Sequence, residues 1–324
     1  MGIIQEDFSS NPGGNAPAEP QPTSPYAPPG YGYPSYEGQI PPQNDAIQGL
    51  SADEKLDPNK INVKITDGRT PIVVLFGPPS SGKTMILIRL TRWLKKNGYS
   101  VTPVRTFRPA EDLHYKKLCD DFNRMVDTTE AMPSTNLISF MLLSVTDRDG
   151  RDVCQILEAP GEHYFDPNGE NDDLEAPFIG YINEIAVSST RKLWLILTEP
   201  DKVNAKNRPG YVTRIGELLQ TVNHKTNSFA IVYNKVDLSR QIVSAGKVNT
   251  KEAKRAVENL YPGIFSLFVN EHPISRYWRK SNADFAVFQS GTFPKAADGT
   301  RTYQSGPDEY PARLWRLILD FCRG

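Results

Sequence analysis

The chain predicts an α/β fold with a mostly parallel, doubly wound sheet and one antiparallel hairpin strand, and three observations predict it. The runs Ile72–Phe76, Leu193–Leu197 and Ser228–Tyr233 are almost continuously apolar, as strands buried on both faces of a parallel sheet are. Segments of helical periodicity lie between or after them, at Met85–Leu94 and Tyr211–Val222. Two further strand candidates, Leu137–Val145 and Asp152–Glu158, are joined through Asp149-Gly150, a hairpin turn signal.

The remaining elements follow in order. From Asn11 to Pro42 the chain is built of Pro, Gly, Tyr, Gln and Ser, too poor in aliphatic residues to offset the entropy of ordering. Residues 1–59 are therefore expected to be a disordered, partly polyproline II tail, either plain and solvated or an interaction segment through its tyrosines. Within it, Ser51-Ala-Asp-Glu-Lys-Leu56 looks like a short capped helix or turn. The domain itself is expected over 60–324, starting with Ile61–Ile65, which alternates as an edge strand does. A first helix stops at Asn97-Gly98, a strand spans Tyr99–Thr106, and a charged helix covers Asp112–Val126. Asp284–Thr292 reads as a last strand, and Pro311–Cys322 as a closing helix with Leu314, Trp315, Ile318 and Phe321 on its core side.

At 324 residues the chain has ample length for a core. Lys+Arg number 37 and Asp+Glu 38, so charge gives no case for nucleic acid or an anionic membrane. Cys119, Cys154 and Cys322 are widely spaced and form no metal or redox motif, which reads as reduced thiols in a cytoplasmic protein. No secretory signal or membrane span is expected, and Glu6 replaces the Ser or Thr that myristoylation of Gly2 requires.

The chemistry begins at Gly77-Pro-Pro-Ser-Ser-Gly-Lys-Thr84, G-x-x-x-x-G-K-T between a strand and a helix. That is a phosphate-binding loop, and it makes the fold a P-loop NTPase. Backbone N–H groups along Ser80 and Ser81 form a nest for phosphate oxygens at a helix N-terminus, and Gly77 and Gly82 allow close approach. Lys83 reaches the β- and γ-phosphates as a point charge, and the Thr84 hydroxyl suits Mg²⁺. The strand that ends at Glu158 is followed by Ala-Pro-Gly161, placing a carboxylate for Mg²⁺ and an N–H for a γ-phosphate. Asn234-Lys235-Val236-Asp237 then follows an apolar strand, where open α/β sheets hold ligands. A carboxylate at Asp237 can accept from both N1–H and the 2-amino group of guanine, a donor pair that adenine lacks. Asn234 would bond the base edge or tie the loops together, and the stem of Lys235 would cover one face of the base. Ser290 or Gly291 could bring a backbone N–H to the guanine oxygen.

Together these motifs resemble the translation-factor and Ras-like (TRAFAC) class of P-loop GTPases. Glu158-Ala-Pro-Gly-Glu and the long insertion before Thr135 look most like the bacterial double-GTPase families, which are often linked to multi-protein defence or signalling systems. The resemblance implies GTP/GDP and Mg²⁺ as ligands, GTP hydrolysis, a protein effector or regulator, and a second GTPase only as a separate chain. It also implies a switch threonine that joins the Mg²⁺ site at Thr135, with Thr128 and Thr129 as alternatives. Two departures stand out. Glu158 occupies the place of the usual aspartate, and the water-orienting Gln or His is replaced by Glu162, with His163 one place later. Arg105, Arg108 and Arg191 are available as cationic groups. A nucleotide-binding scaffold without hydrolysis is the alternative reading, and an ATPase of another P-loop class a further one.

Overall fold

A computed structural model describes residues 49–127, 140–165, 178–200, 208–239, 241–269, 281–292 and 303–324. The chain divides into two units, Met1–Gln39 and Ile40–Gly324, and every described residue belongs to the second. The expectation for residues 11–42 lies outside the described residues, as do Thr128, Thr129 and Thr135.

Seven strands form one sheet: β1 (Ile72–Phe76), β2 (Ser100–Pro103), β3 (Met141–Thr146), β4 (Asp152–Glu158), β5 (Lys192–Thr198), β6 (Asn227–Tyr233) and β9 (Ala283–Val287). Their order is β2-β3-β4-β1-β5-β6-β9. β3 runs antiparallel to both of its neighbours, and β4, β1, β5, β6 and β9 are mutually parallel. The hairpin expected from Asp149-Gly150 is the β3–β4 pair, and Gly150 takes the φ of 77° that the turn needs. All residues of β1 and β5 are buried, which is why these strands lack polar alternation. The chain starts at β1, moves to the β2 edge, returns through β3 and β4, and crosses over to β5. That reversal beside β1 is where a doubly wound sheet opens a crevice at its strand C-termini.

The helices are α1 (Ala52–Leu56), α2 (Lys83–Lys96), α3 (Leu113–Asp127), α4 (Gly180–Val187), α5 (Arg208–Thr221), α6 (Thr250–Leu260) and the last helix, Glu309–Arg323. α2 packs with α3 and the last helix, and α4 packs with α5. Small hairpins β7–β8 (Ile242–Ser244, Lys247–Val248) and β10–β11 (Gly291–Thr292, Gln304–Ser305) stand apart from the sheet. No described helix is long and apolar enough to cross a membrane.

Three expectations need correction. Ile61–Ile65 is not a strand: Ile61, Val63 and Ile65 do turn to the core, but Lys64 N–H to Phe107 C=O is a lone cross-chain bond and no ladder forms. Packing also reaches back past Lys60. Leu50 is buried, and Ser51 caps α1 reciprocally with Glu54. The buried Arg108 holds this segment, pairing with Glu54 and Asp112 and donating to Asn62 C=O at 2.6 Å. Finally, the last strand stops at Val287, and the chain beyond it bends into β10.

An aromatic cluster fixes the end of β1. Phe76, directly before the phosphate loop, has Tyr164 and Phe165 at 4.7 and 5.3 Å between ring centroids, and Trp194 and Tyr211 at about 6 Å. Tyr211 also donates to Leu197 C=O at 2.8 Å, binding α5 to the end of β5.

Candidate functional site

The loop Gly77–Thr84 leaves the C-terminal end of β1 and turns into α2 at Gly82, whose φ of 90° only glycine adopts without strain. A Cβ on Gly82 would also lie 2.4 Å from Asn234 Nδ2. Ser81 is fully buried inside the loop, and Ser80 has a positive φ of 61°. Lys83 Nζ folds back over the loop and donates to Gly77 C=O at 2.9 Å and Pro78 C=O at 3.1 Å.

Glu158, at the end of the neighbouring strand β4, is 1% exposed, and its Oε1 accepts from Thr84 Oγ1 at 2.9 Å. The structure thus brings together two of the three residues expected at Mg²⁺, Thr84 and Glu158, while Thr135 lies outside the described residues. Burial pushes the Glu158 carboxyl up to about 8, against the pull of Lys83 and the Thr84 hydrogen bond. Burial likewise lowers the Lys83 ammonium, against the attraction of Glu158 and Glu162. Gly161 presses against the loop backbone, where a Cβ would sit 2.2 Å from Pro79 N and 2.5 Å from Pro78 C. No larger residue fits there.

Glu162 is half-buried beside Lys83, but His163 is placed differently from the water-orienting role considered for it. It is 4% exposed, its Nδ1 is 2.6 Å from Tyr181 Oη, and its ring packs against Phe140. Burial, with Lys83 nearby, pushes the imidazole down to about 3, so it is neutral. The three arginines are also committed elsewhere: Arg105 to Asp120, Arg108 to Glu54 and Asp112, and Arg191 to Phe321 C=O.

At the other end of the crevice, Asn234 follows β6 and is 1% exposed. Its Nδ2 donates to Ser81 C=O at 2.9 Å, and Lys235 Nζ donates to Ser80 C=O at 3.0 Å. Asn234 therefore ties the two loops together. Lys235 has a left-handed φ of 50°, and this turn sets up Val236–Leu238. Burial raises the Asp237 carboxyl, opposed by its own backbone N–H and by Lys235. Val236 N–H reaches Phe288 C=O at 3.2 Å, which brings the Ser290–Gly291 loop beside this motif.

Four buried side-chain atoms on these residues have no hydrogen-bond partner: Ser81 Oγ, Glu158 Oε2, Asn234 Oδ1 and Ser290 Oγ. Buried polar atoms left unmade cost about 1–3 kcal/mol each. Their gathering on both ends of one crevice fits a polar ligand that meets both ends, and the hard oxygens of Thr84 and Glu158 fit Mg²⁺.

No protein-family model matches the chain, and no curated protein matches it. Among solved structures it is similar to nucleolar GTP-binding protein 1 of Plasmodium falciparum, at 12% identity and a TM-score of 0.37, over 81% of this chain and 90% of that one. It is also similar to the Ski7 GTPase-like domain of Saccharomyces cerevisiae, bound to GDP and inorganic phosphate, at 11% identity and a TM-score of 0.39. That match covers 77% of this chain and half the length of the other.

Sequence reading missed Glu199, at the end of β5. It is fully buried, with its carboxylate 4.0 Å from Lys235 Nζ and its backbone N–H on Tyr261 Oη. Its position after the apolar run Leu193–Leu197, at a strand C-terminus, was the available signal.

Proposed function

We propose that this domain binds a guanine nucleotide with Mg²⁺ and hydrolyses GTP slowly, as a switch read by a protein partner. The observation that carries the reading is the link from Asn234 to Ser81, which makes one crevice of a phosphate loop and a guanine-type motif. In it, Lys83 would exchange its loop carbonyls for phosphate oxygens, and the Gly161 N–H would face the γ-phosphate. Thr84 and Glu158 would hold Mg²⁺, directly or through water, and the ion supplies charge neutralisation between the phosphates. Asp237 would accept from N1–H and the 2-amino group of the base. In this reading the switch role falls to the threonine at 135 and the stretch 162–175, which would respond to γ-phosphate, and a second GTPase chain is one form the partner could take.

A second reading is favoured by His163. With that imidazole neutral and bonded to Tyr181, Glu162 is left as the candidate to orient water, and its charge repels a γ-phosphate. A scaffold that holds GTP uncleaved is the result. Titration of GDP, GTP, ADP and ATP tests the base reading, which fails if ATP binds as tightly as GTP. Single-turnover phosphate release then separates slow hydrolysis from a scaffold that retains GTP for hours.

A further inference from the structure

We propose that Tyr303 is the positioning residue for the peptide that meets the guanine 6-oxygen, and so sets how strongly the site favours a base carrying that acceptor. The inference rests on the guanine reading above. Tyr303 Oη donates to Ser290 C=O at 2.5 Å. That carbonyl and the Gly291 N–H belong to one planar trans peptide, so anchoring the oxygen aims the N–H to the opposite side.

The surroundings hold this arrangement from two directions. β10–β11 pairs Gly291 with Ser305 and Thr292 with Gln304, which carries Tyr303 next to the loop it bonds. Gly291 has a φ of 141°, and a Cβ there would sit 2.4 Å from Gln304 O and 2.7 Å from Tyr303 Cε2. Only glycine lets the phenol come this close. From the other side, the Arg92 guanidinium lies 5.0 Å from the Tyr303 ring centroid. Near it on α2, Arg89 donates to Gly306 C=O at 2.7 Å and pairs with Asp308 at 2.5 Å. The helix that begins at the phosphate-loop lysine therefore also grips the base loop through Tyr303 and its neighbours. Burial raises the Tyr303 phenol, against Arg89 and Arg92, which keeps it a donor.

The test compares GDP with 6-thioguanosine diphosphate on the full chain. The thio analogue keeps the N1–H and 2-amino group that Asp237 would read, and replaces the 6-oxygen by weakly accepting sulfur. Wild type should prefer GDP. Tyr303→Phe, which removes one oxygen, should weaken GDP about tenfold and leave the analogue unchanged. Gly291→Ala should narrow the same preference by displacing the peptide. If Tyr303→Phe and Gly291→Ala keep the wild-type ratio of the two affinities, even while both affinities fall, the proposal is overturned, because a purely structural loss weakens both ligands alike. ADP in the same titration keeps the two readings apart. Wild type binding ADP as tightly as GDP ends the guanine reading and this inference together, whereas a GDP preference over ADP with an unmoved thio ratio ends this inference alone.

Discussion

In the proposed nucleotide site, the phosphate end and the base end are built on opposite principles. At the phosphate end the donors are turned onto the protein itself: Lys83 donates to two loop carbonyls, Thr84 donates to Glu158 Oε1, and Gly161 closes over Pro78 and Pro79. At the base end the backbone is braced through Val236, Phe288 and Ser290, and the largely buried Asp237 carboxyl meets its own backbone N–H and the charge of Lys235. The first end must trade contacts to bind, and the second is formed in advance. Affinity should therefore depend most on the first end and selectivity on the second.

Four experiments bear on that contrast, taken from the largest expected effect to the smallest. Lys83→Ala removes the charge-assisted bonds to phosphate, and GDP affinity by calorimetry should fall on the order of 100-fold or more. Retained affinity would place the anchor at the base end and break the contrast. Asn234→Ala cuts the tie between the ends, so it should cost about tenfold in GDP affinity and lower the thermal midpoint together. Loss of one without the other would show that the ends act separately.

The third experiment uses pH. Because the Glu158 carboxyl is pushed up to about 8, it must give up a proton to serve a cation. Mg²⁺-dependent GTP affinity should therefore rise a few-fold between about pH 7 and pH 9, and Glu158→Gln should flatten the rise. The stability sign is the reverse. A carboxyl raised on folding binds more protons folded than unfolded, so its contribution declines as the pH climbs from about 4.5 to about 8. An unchanged slope in Glu158→Gln would assign the titration to another group.

The smallest effect concerns His163. Its imidazole is pushed down to about 3, so the unfolded chain binds more protons below about pH 6.5, and stability from this group falls as the pH drops through that range. Chemical denaturation of His163→Phe at about pH 5 and pH 7.5 should show a shallower acid loss than wild type. The phosphate-release rate of the wild type should show no inflection near pH 6.5, and an inflection that His163→Phe abolishes would restore the imidazole as a water-orienting group.

Much of this was readable because it is local. The loop Gly77–Thr84 and the run Ser228–Asp237 each state strand, turn and chemistry within a few residues, and the Asp149-Gly150 turn states the hairpin. What could not be read depends on residues far apart in the chain. His163 is set apart from a surface histidine by Phe140 and Tyr181, and Arg108 is buried with Glu54 and Asn62 C=O as partners some fifty positions away, besides its neighbour Asp112. Ile61–Ile65 carried the alternation of a strand, but a strand also needs a ladder partner, which alternation does not specify. α4 and α6 were not singled out, and Tyr303 has no motif at all, because its role comes from the β10–β11 pairing.

The close seat of Gly161 on Pro78 and Pro79 also has a consequence in time. In the proposed site, Lys83 would leave its two carbonyls, and the seat of Gly161 on Pro78 and Pro79 would loosen, before a triphosphate settles. Association should then proceed in two steps, with an observed rate that levels off as nucleotide concentration increases and an on-rate well below the diffusion limit.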